Sequence, residues 1–286
     1  MSTAEPILTQ EKVEARNPGS RLMIVGGVML AVLALLAIAA PLIAPQDPEA
    51  VEVRRVLGAP DLQHLLGSDV LGRDVLSRII YALRVSLLVS ISAVAASLII
   101  AVPLGLAAGY FGSWVDTTIS RTVDMILVLP AMLLAITLIA ILGPGSVVAT
   151  LAIAVIYLPI LARVMRTSTL VVVHNDYIAG SRARGASHLR VIVQHVAPNA
   201  LGPVIVQASV LCAFALQLEA GLSFLGLGVQ PPTPSLGGML SDGRDVLNQA
   251  PWVEIFPGLT IVVAVLAFSF FGEGLRRAFD PRGVAG

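Results

Sequence analysis

The chain has 286 residues, of which 56% are hydrophobic and only 13% charged, about half the charged share of soluble domains. Its mean hydropathy of +0.89 excludes an ordinary soluble domain, and a formal net charge of zero gives no reason to expect nucleic acid as a partner. Cys212 is the single cysteine, so an intrachain disulfide or thiolate metal cluster is excluded, and His64, His174, His188 and His195 lack zinc-like spacing. Lys12 is the sole lysine, and no G-x-x-x-x-G-K-[ST] occurs, so the chain has no P-loop of its own for ATP.

A membrane span needs about 20 apolar residues. Residues 22–44 supply the first. The small-residue run Ala37-Ile38-Ala39 resembles a signal-peptide cleavage site, but Glu5, Glu11 and Glu14 precede it and the apolar run is long, so a retained helix is expected. In the loop that follows, Val75, Leu76, Ile79, Ile80 and Leu83 line one helical face over 72–84, with Asp74 and Arg78 an i, i+4 pair on the other. That pattern predicts a helix lying on the outer membrane surface. A second span is expected at about 86–109, with Pro103 and Gly105 inside it. Residues 125–162 are uncharged and too long for one span; L-G-P-G-S at 142–146 divides them into a tight hairpin of two. The fifth span is expected at 203–224 and the sixth within 254–273, with an irregular Pro- and Gly-rich loop between them and Trp252 at the interface.

Six spans put both termini on one side. With the N-terminus inside, twelve of the basic residues fall on inner segments and six on outer ones, and the positive-inside rule selects that orientation. The long polar interruption at 163–199 is then cytoplasmic; it holds five arginines and three histidines without a catalytic or metal-binding pattern. Two short helical patterns meet there at Gly185. In the second, Leu189, Ile192, Val193 and Val196 form one apolar stripe, Ser187 is the expected cap, and Pro198 the expected stop. A compact basic hairpin between spans offers a grip to another protein, with Gly185 giving its tip a sharp turn.

Glu219 lies near a span, where an acid is costly. It is open to two readings: a group that meets a substrate amine or a proton, and an acceptor for backbone at a helix break begun by Gly221. Gly105 and Gly109 make a small-x-x-x-small pair that reads as helix packing. Asp116, Arg121 and Asp124 are expected to cluster at the inner interface.

Several blocks carry a resemblance. They read H-L-L-G-S-D-V-L-G-R-D-V-L-S-R over 64–78, A-G-Y-F-G-S-W-V-D over 108–116, R-T-V-D over 121–124 and L-G-P-G over 142–145. Further on come Y-I-A-G-S-R-A-R-G-A-S over 177–187, H-V-A-P-N over 195–199, E-A-G-L-S-F-L-G-L-G over 219–228, P-P-T-P-S over 231–235 and G-E-G-L-R-R-A-F-D-P-R over 272–282. In this order they resemble the permease subunits of bacterial ATP-driven importers for dipeptides, oligopeptides and nickel, most closely the C-type member of each permease pair. Where that family has an acidic or variable residue followed by two alanines, this chain has Ala179, Gly180 and Ser181. Leu236 stands where the family often has Trp, and Glu273 where it has Asp.

The resemblance implies an all-α inner-membrane permease of six helices with a coupling hairpin, of the type I importer kind. Its expected parts are a cytoplasmic tail at 1–21, a first helix and outer amphipathic loop at 22–84, and a five-helix core at 85–286 containing a coupling loop at 163–200. The resemblance assigns contact with the ATPase to Tyr177, Arg182, Arg184, Gly185, Ala186, Ser187, His195, Pro198 and Asn199. It further implies a second homologous permease, two ATPase subunits holding ATP and Mg, and an extracytoplasmic solute-binding protein, in the lipid of a bacterial cytoplasmic membrane. The chain itself would hold no cofactor and no catalytic residue. The rival readings are a self-sufficient secondary transporter with Glu219 as its ion site, the same importer carrying nickel or another small solute, and a non-transporting scaffold.

Overall fold

A computed structural model describes residues 18–279 of the chain, with side chains from Arg21 onward. The expected tail at 1–21 therefore lies outside the described residues as far as residue 17. Among the described residues every regular element is a helix.

Helix α1 (Pro18–Ile38) stops one residue before the short α2 (Ala40–Ile43), where Pro41 sits in the first turn. An irregular loop then leads to α3 (Val75–Phe111), whose 37 residues would be about 55 Å long. The expected surface helix at 72–84 is not separate: it forms the first turns of α3. Asp74 caps that start, its carboxylate accepting from the Ser77 amide at 2.7 Å, and nothing between Arg84 and Ser86 breaks the ladder. The apolar stripe also faces protein, since Val75, Ile79 and Ala82 pack with Leu236, Met239, Trp252 and Phe256. The expected Asp74–Arg78 pair is absent, because Asp74 is taken up by the cap and by His64, and Arg78 turns to Asp69.

Gly112, with φ +61°, ends α3 and α4 (Ser113–Leu127) begins at once. Helix α5 (Ala131–Leu142) follows at a bend of 88°. The turn expected at 142–146 is present, with Gly143 and Gly145 at φ +94° and +149°, and α6 (Ser146–Val173) is a full span. The other arm differs from expectation: α5 has only 12 residues, about 18 Å, and reaches span length only jointly with α4. Pro130 is the cause. It lacks an amide hydrogen and drives Leu129 out of helical geometry.

Helix α6 continues well past Arg163, so the segment expected as a coupling loop at 163–200 begins later than residue 163. It comprises α7 (Asp176–Ala183), a turn at Gly185, α8 (His188–Val191), and a π-helical turn (Ile192–Val196) that runs into α9 (Ala197–Phe224). The short α10 (Leu236–Arg244) lies in the next loop, and α11 (Trp252–Phe279) closes the fold. Helices α1, α3, α6, α8–α9 and α11 are long and apolar enough to cross a membrane, and the bent α4–α5 pair would make a sixth span.

Glycines set the closest helix contacts. A Cβ at Gly105 or Gly109 would stand 2.6 Å from the Ala162 carbonyl oxygen or the Thr169 Cβ, so the two glycines let α3 lie against α6. Helix α1 runs antiparallel to α11, with Met23 beside Gly274 and Gly26 beside Phe271. The beginning of α1 and the end of α11 thus share one end of the bundle with the end of α6 and the start of α9. We call this the basic end; loops 44–74 and 225–251 mark the other, the loop end.

Candidate coupling site at the basic end

Helix α7 carries Asp176 in its first turn and Arg182 in its last, each favourable to the helix dipole. Ile178 and Ser181 are buried, and Ile178 joins the core formed by α3, α6 and α9. The chain then reverses at Gly185, whose amide donates to the Arg182 carbonyl at 2.9 Å. Its φ of +83° is the left-handed region, while a Cβ there would meet nothing within 4 Å. Glycine is favoured by backbone strain, not by lack of room.

The second helical arm differs from its sequence reading in three ways. Ser187 occupies the cap position, but its hydroxyl makes no capping bond; its carbonyl accepts from Val191 at 3.0 Å. Pro198 does not stop the helix, since it falls in the first turn of α9, where its missing amide hydrogen costs little after a π-helical turn. The apolar stripe is also rephased: Val191 and Val196 are buried, five residues apart, whereas Leu189 and Val193 are 72% and 58% exposed. A π turn spaces its buried positions by five where an α-helix would use three or four.

An aromatic anchor ties this arm to α3. The Tyr110 hydroxyl lies 3.0 Å from His188 Nδ1, the Arg182 guanidinium sits 4.6 Å over the Tyr110 ring, and Phe111 packs edge-on against Tyr110. Neither Tyr110 nor His188 was among the expected contact residues. The only signal was an aromatic pair directly before Gly112.

Arg182, Arg184, Gly185 and Ser187 are exposed around the tip, with Ala186 half-buried, and Tyr177 is exposed at the start of α7. His195, Pro198 and Asn199 stand apart from it. They belong to the π turn and the start of α9, where the Asn199 amide donates to the His195 carbonyl at 2.6 Å, and Pro198 and Asn199 border a groove between α9 and α11. The expected charge cluster of Asp116, Arg121 and Asp124 gives way to two ties between α4 and α6. Arg166 binds both carboxylate oxygens of Asp116 through its Nε and Nη2, and Arg163 reaches Asp124 at 2.6 Å. Among the described residues Arg121 pairs with neither acid.

Glu219 lies toward the loop end, fully buried. Its two carboxyl oxygens accept from Ser86 of α3 at 2.7 Å and from Ser223 of its own helix at 2.8 Å. Helix α9 is unbroken at Gly221, so the acceptor role serves side-chain hydroxyls and not backbone. Farther out, Asp69 holds Arg73 at 2.7 Å and Arg78 at 3.3 Å, the latter an ion pair without hydrogen-bond geometry. Arg73 also approaches Asp242 of α10 at 3.7 Å. Burial pushes the Asp242 carboxyl above its usual range, with Arg78 and Arg73 pulling it down. The Trp252 indole donates to the Ser68 carbonyl at 3.2 Å, which fixes it against the outer loop. Among the described residues no three His, Cys, Asp or Glu side chains converge as a metal site.

Residues 101–283 match the model of the family described as binding-protein-dependent transport system inner membrane component, and residues 19–61 match the N-terminal transmembrane domain of oligopeptide transport permease C. The chain is 41% identical to a dipeptide transport system permease protein of Alkalihalophilus pseudofirmus, over 92% of this chain and 86% of that protein. It is 42% identical to a di/tripeptide transport system permease protein of Pseudomonas aeruginosa, over 94% and 89%. Among solved structures, the inward-facing MetNI methionine ABC transporter superposes with a TM-score of 0.58 at 19% identity, over 70% of this chain and 95% of that one. At that identity the likeness concerns the fold alone.

Proposed function

The chain belongs to the family of binding-protein-dependent transport system inner membrane components, and from that premise we propose that it is one of two permease subunits of an ATP-driven importer of dipeptides or oligopeptides. It is a transport permease and not an enzyme. Its partners are a second, homologous permease, two ATPase subunits that hold ATP and Mg, and an extracytoplasmic binding protein that delivers solute to the loop end. The peptide substrate is carried over from the relatives, whose names specify dipeptide and di/tripeptide transport.

The reading rests on one observation above the others. The α7–Gly185–α8 hairpin exposes Arg182, Arg184 and Leu189 about its turn and Tyr177 at the start of α7, while Ile178, Ser181 and the Tyr110–His188 contact fix it to α3 and α6. A surface so mounted moves with the bundle when an ATPase subunit pushes on it, which a loose loop would not do. The basic end faces the cytoplasm and both termini lie there. The antiparallel α1–α11 pair and the twelve-to-six distribution of basic residues support this orientation.

A secondary transporter using Glu219 is the rival. Against it, both oxygens of Glu219 are occupied by serines in a fully buried position. The deciding experiment is to tag the chain, extract it in mild detergent and identify what co-purifies. Recovery with a second permease and two ATPase copies, their hydrolysis stimulated by a binding protein, is the expected result. A chain that purifies alone and moves solute down a proton gradient in vesicles would overturn the proposal.

A further inference from the structure

Helix α9 has two faces of different character. Val204, Ala208, Leu211, Ala215 and Glu219 are buried against the bundle. The other face carries Pro203, Gln207, Val210, Phe214 and Gln217, at alternating steps of four and three, and borders an open groove of about 1260 Å3 between α9 and α11. Phe214 and Gln217 are exposed, and Gln207 is half-buried. Among the described residues neither glutamine side chain makes a hydrogen bond, and Ser269 of α11 lines the same groove.

Two primary amides inside a membrane-spanning helix cannot be left facing lipid without penalty. An unpaired amide in an apolar medium costs roughly 2–7 kcal/mol, and irregular polar surface at membrane depth is found where it lines water or meets protein. The two amides stand ten residues apart, about 15 Å along the helix. Phe214 between them is bulky and exposed, unlike the small residues that let membrane helices pack closely. Concavity, unpaired amides and a large exposed ring together fit a wall along a wet path better than a seam between helices.

The chemistry of the wall narrows what passes along it. Between Gln207 and Gln217 the groove carries no charged side chain; Glu273 and Arg276 appear only toward its basic end. A glutamine amide both donates and accepts, which matches the amide groups of a peptide backbone whatever the charge of its side chains. A divalent metal cation would call for carboxylates or imidazoles, and this stretch offers none.

We propose that the Gln207–Gln217 face of α9, with Ser269 opposite, is the wall of the hydrated solute path and that its two amides, too far apart to hold one dipeptide together, hydrogen-bond its backbone amide in turn as it moves along the groove. This rests on the importer reading above and adds to it the residues that contact the solute and the group they recognise.

The test uses the assembled transporter in lipid vesicles. Single cysteines replace Gln207, Gln217 and, as a lipid-facing control, Leu35 on α1, in a Cys212→Ser background. The cysteines of Q207C and Q217C should react with a membrane-impermeant methanethiosulfonate at least about tenfold faster than that of L35C, because thiolate chemistry needs water. Equal, slow reaction at all three, with and without ATP, would overturn the proposal. In parallel, Q207L and Q217L should lower the preference for alanyl-alanine over its N-methylated analogue by about three- to tenfold, one hydrogen bond's worth. Q207N and Q217N should restore part of it. The binding protein is common to all variants, so its own preference cancels. An unchanged preference at normal uptake would show that the amides do not read the peptide. If the wild-type complex took up no alanyl-alanine with ATP, the importer reading would fail instead, and the thiol reactivities would still decide whether this face is wet.

Discussion

The Tyr110 hydroxyl meets His188 Nδ1 at 3.0 Å across a separation of 78 residues, joining the end of α3 to the start of α8. Because Arg182 of α7 lies over the same ring, one side chain braces both arms of the α7–α8 hairpin. Replacing Tyr110 by Ala should therefore leave the complex assembled but lower solute moved per ATP hydrolysed. Tyr110→Phe keeps the ring and removes only a hydrogen bond, about 1 kcal/mol, and should fall between. Uptake and hydrolysis measured on the same vesicles check this; a proportional fall in both for the Ala variant would count against a bracing role.

Gly185 and Gly105 should fail differently. At Gly185 the φ is +83° and there is open space around the missing Cβ, so a substitution costs only the strain of left-handed backbone, about 1–2 kcal/mol. Gly185→Val should leave thermal unfolding of the isolated subunit nearly unchanged while weakening recovery of the ATPase subunits. Gly185→Asn, which tolerates that conformation better, should retain more of them.

At Gly105 the obstacle is backbone. A Cβ would stand 2.6 Å from the Ala162 carbonyl oxygen, and α6 could accommodate it only by moving away from α3. Gly105→Leu should lower the unfolding temperature in detergent markedly, with a cost at or above the usual 1–3 kcal/mol of overpacking. Recovery of well-behaved protein should fall with it.

The contrast between these glycines marks what the sequence could convey. Apolar run lengths were enough to find five spans, and L-G-P-G located the turn before α6, because both signals are local. The bend at Pro130 was also local, yet an unbroken run of uncharged residues masked it. Fusion of the outer amphipathic segment into α3 depended on what its stripe faced, namely Leu236 and Met239 from far along the chain. The π turn before Ala197 rephased the stripe at Leu189 and Val193 in a way that an assumed α-helical period could not foresee. Arg182, Arg184 and Ser187 are exposed about the turn at Gly185, Pro198 and Asn199 fall on the groove, and the one local signal for Tyr110 was the aromatic pair before Gly112.

Glu219 is held by two hydroxyls, from Ser86 and Ser223. A glutamine there can still accept from one of them through its carbonyl oxygen, whereas leucine takes the acceptor from both and leaves Ser223 only the Val229 amide at 3.2 Å, at about 1–3 kcal/mol each. Glu219→Gln should keep most uptake and Glu219→Leu should lose folded protein first. Loss of uptake in the Gln variant, with assembly and ATP hydrolysis intact, would instead revive an ion or proton role for this carboxyl.

Asp69 poses the sharpest electrostatic test. Its carboxylate lies 2.7 Å from Arg73 and 3.3 Å from Arg78, both buried, and the next acid, Asp242, is 3.7 Å from Arg73 and exposed. Replacing Asp69 by Asn preserves shape and removes the charge that offsets two guanidinium groups. Breaking a buried pair from one side typically costs about 3–5 kcal/mol, and here two cations lose the same partner. The loss should appear at the loop end, since Arg73 and Asp242 link the 69–73 turn to α10. Limited proteolysis should cut Asp69→Asn within residues 225–251 well before the wild type, while the Tyr110-braced basic end keeps its ATPase partners. Cutting rates equal to wild type would mean that the packing of Leu236 and Met239 against α3 holds α10 in place without Asp69. The double change Asp69→Asn with Arg78→Met removes one stranded cation along with its partner and should recover part of the protection, because an apolar replacement of matching length avoids burying an unpaired charge.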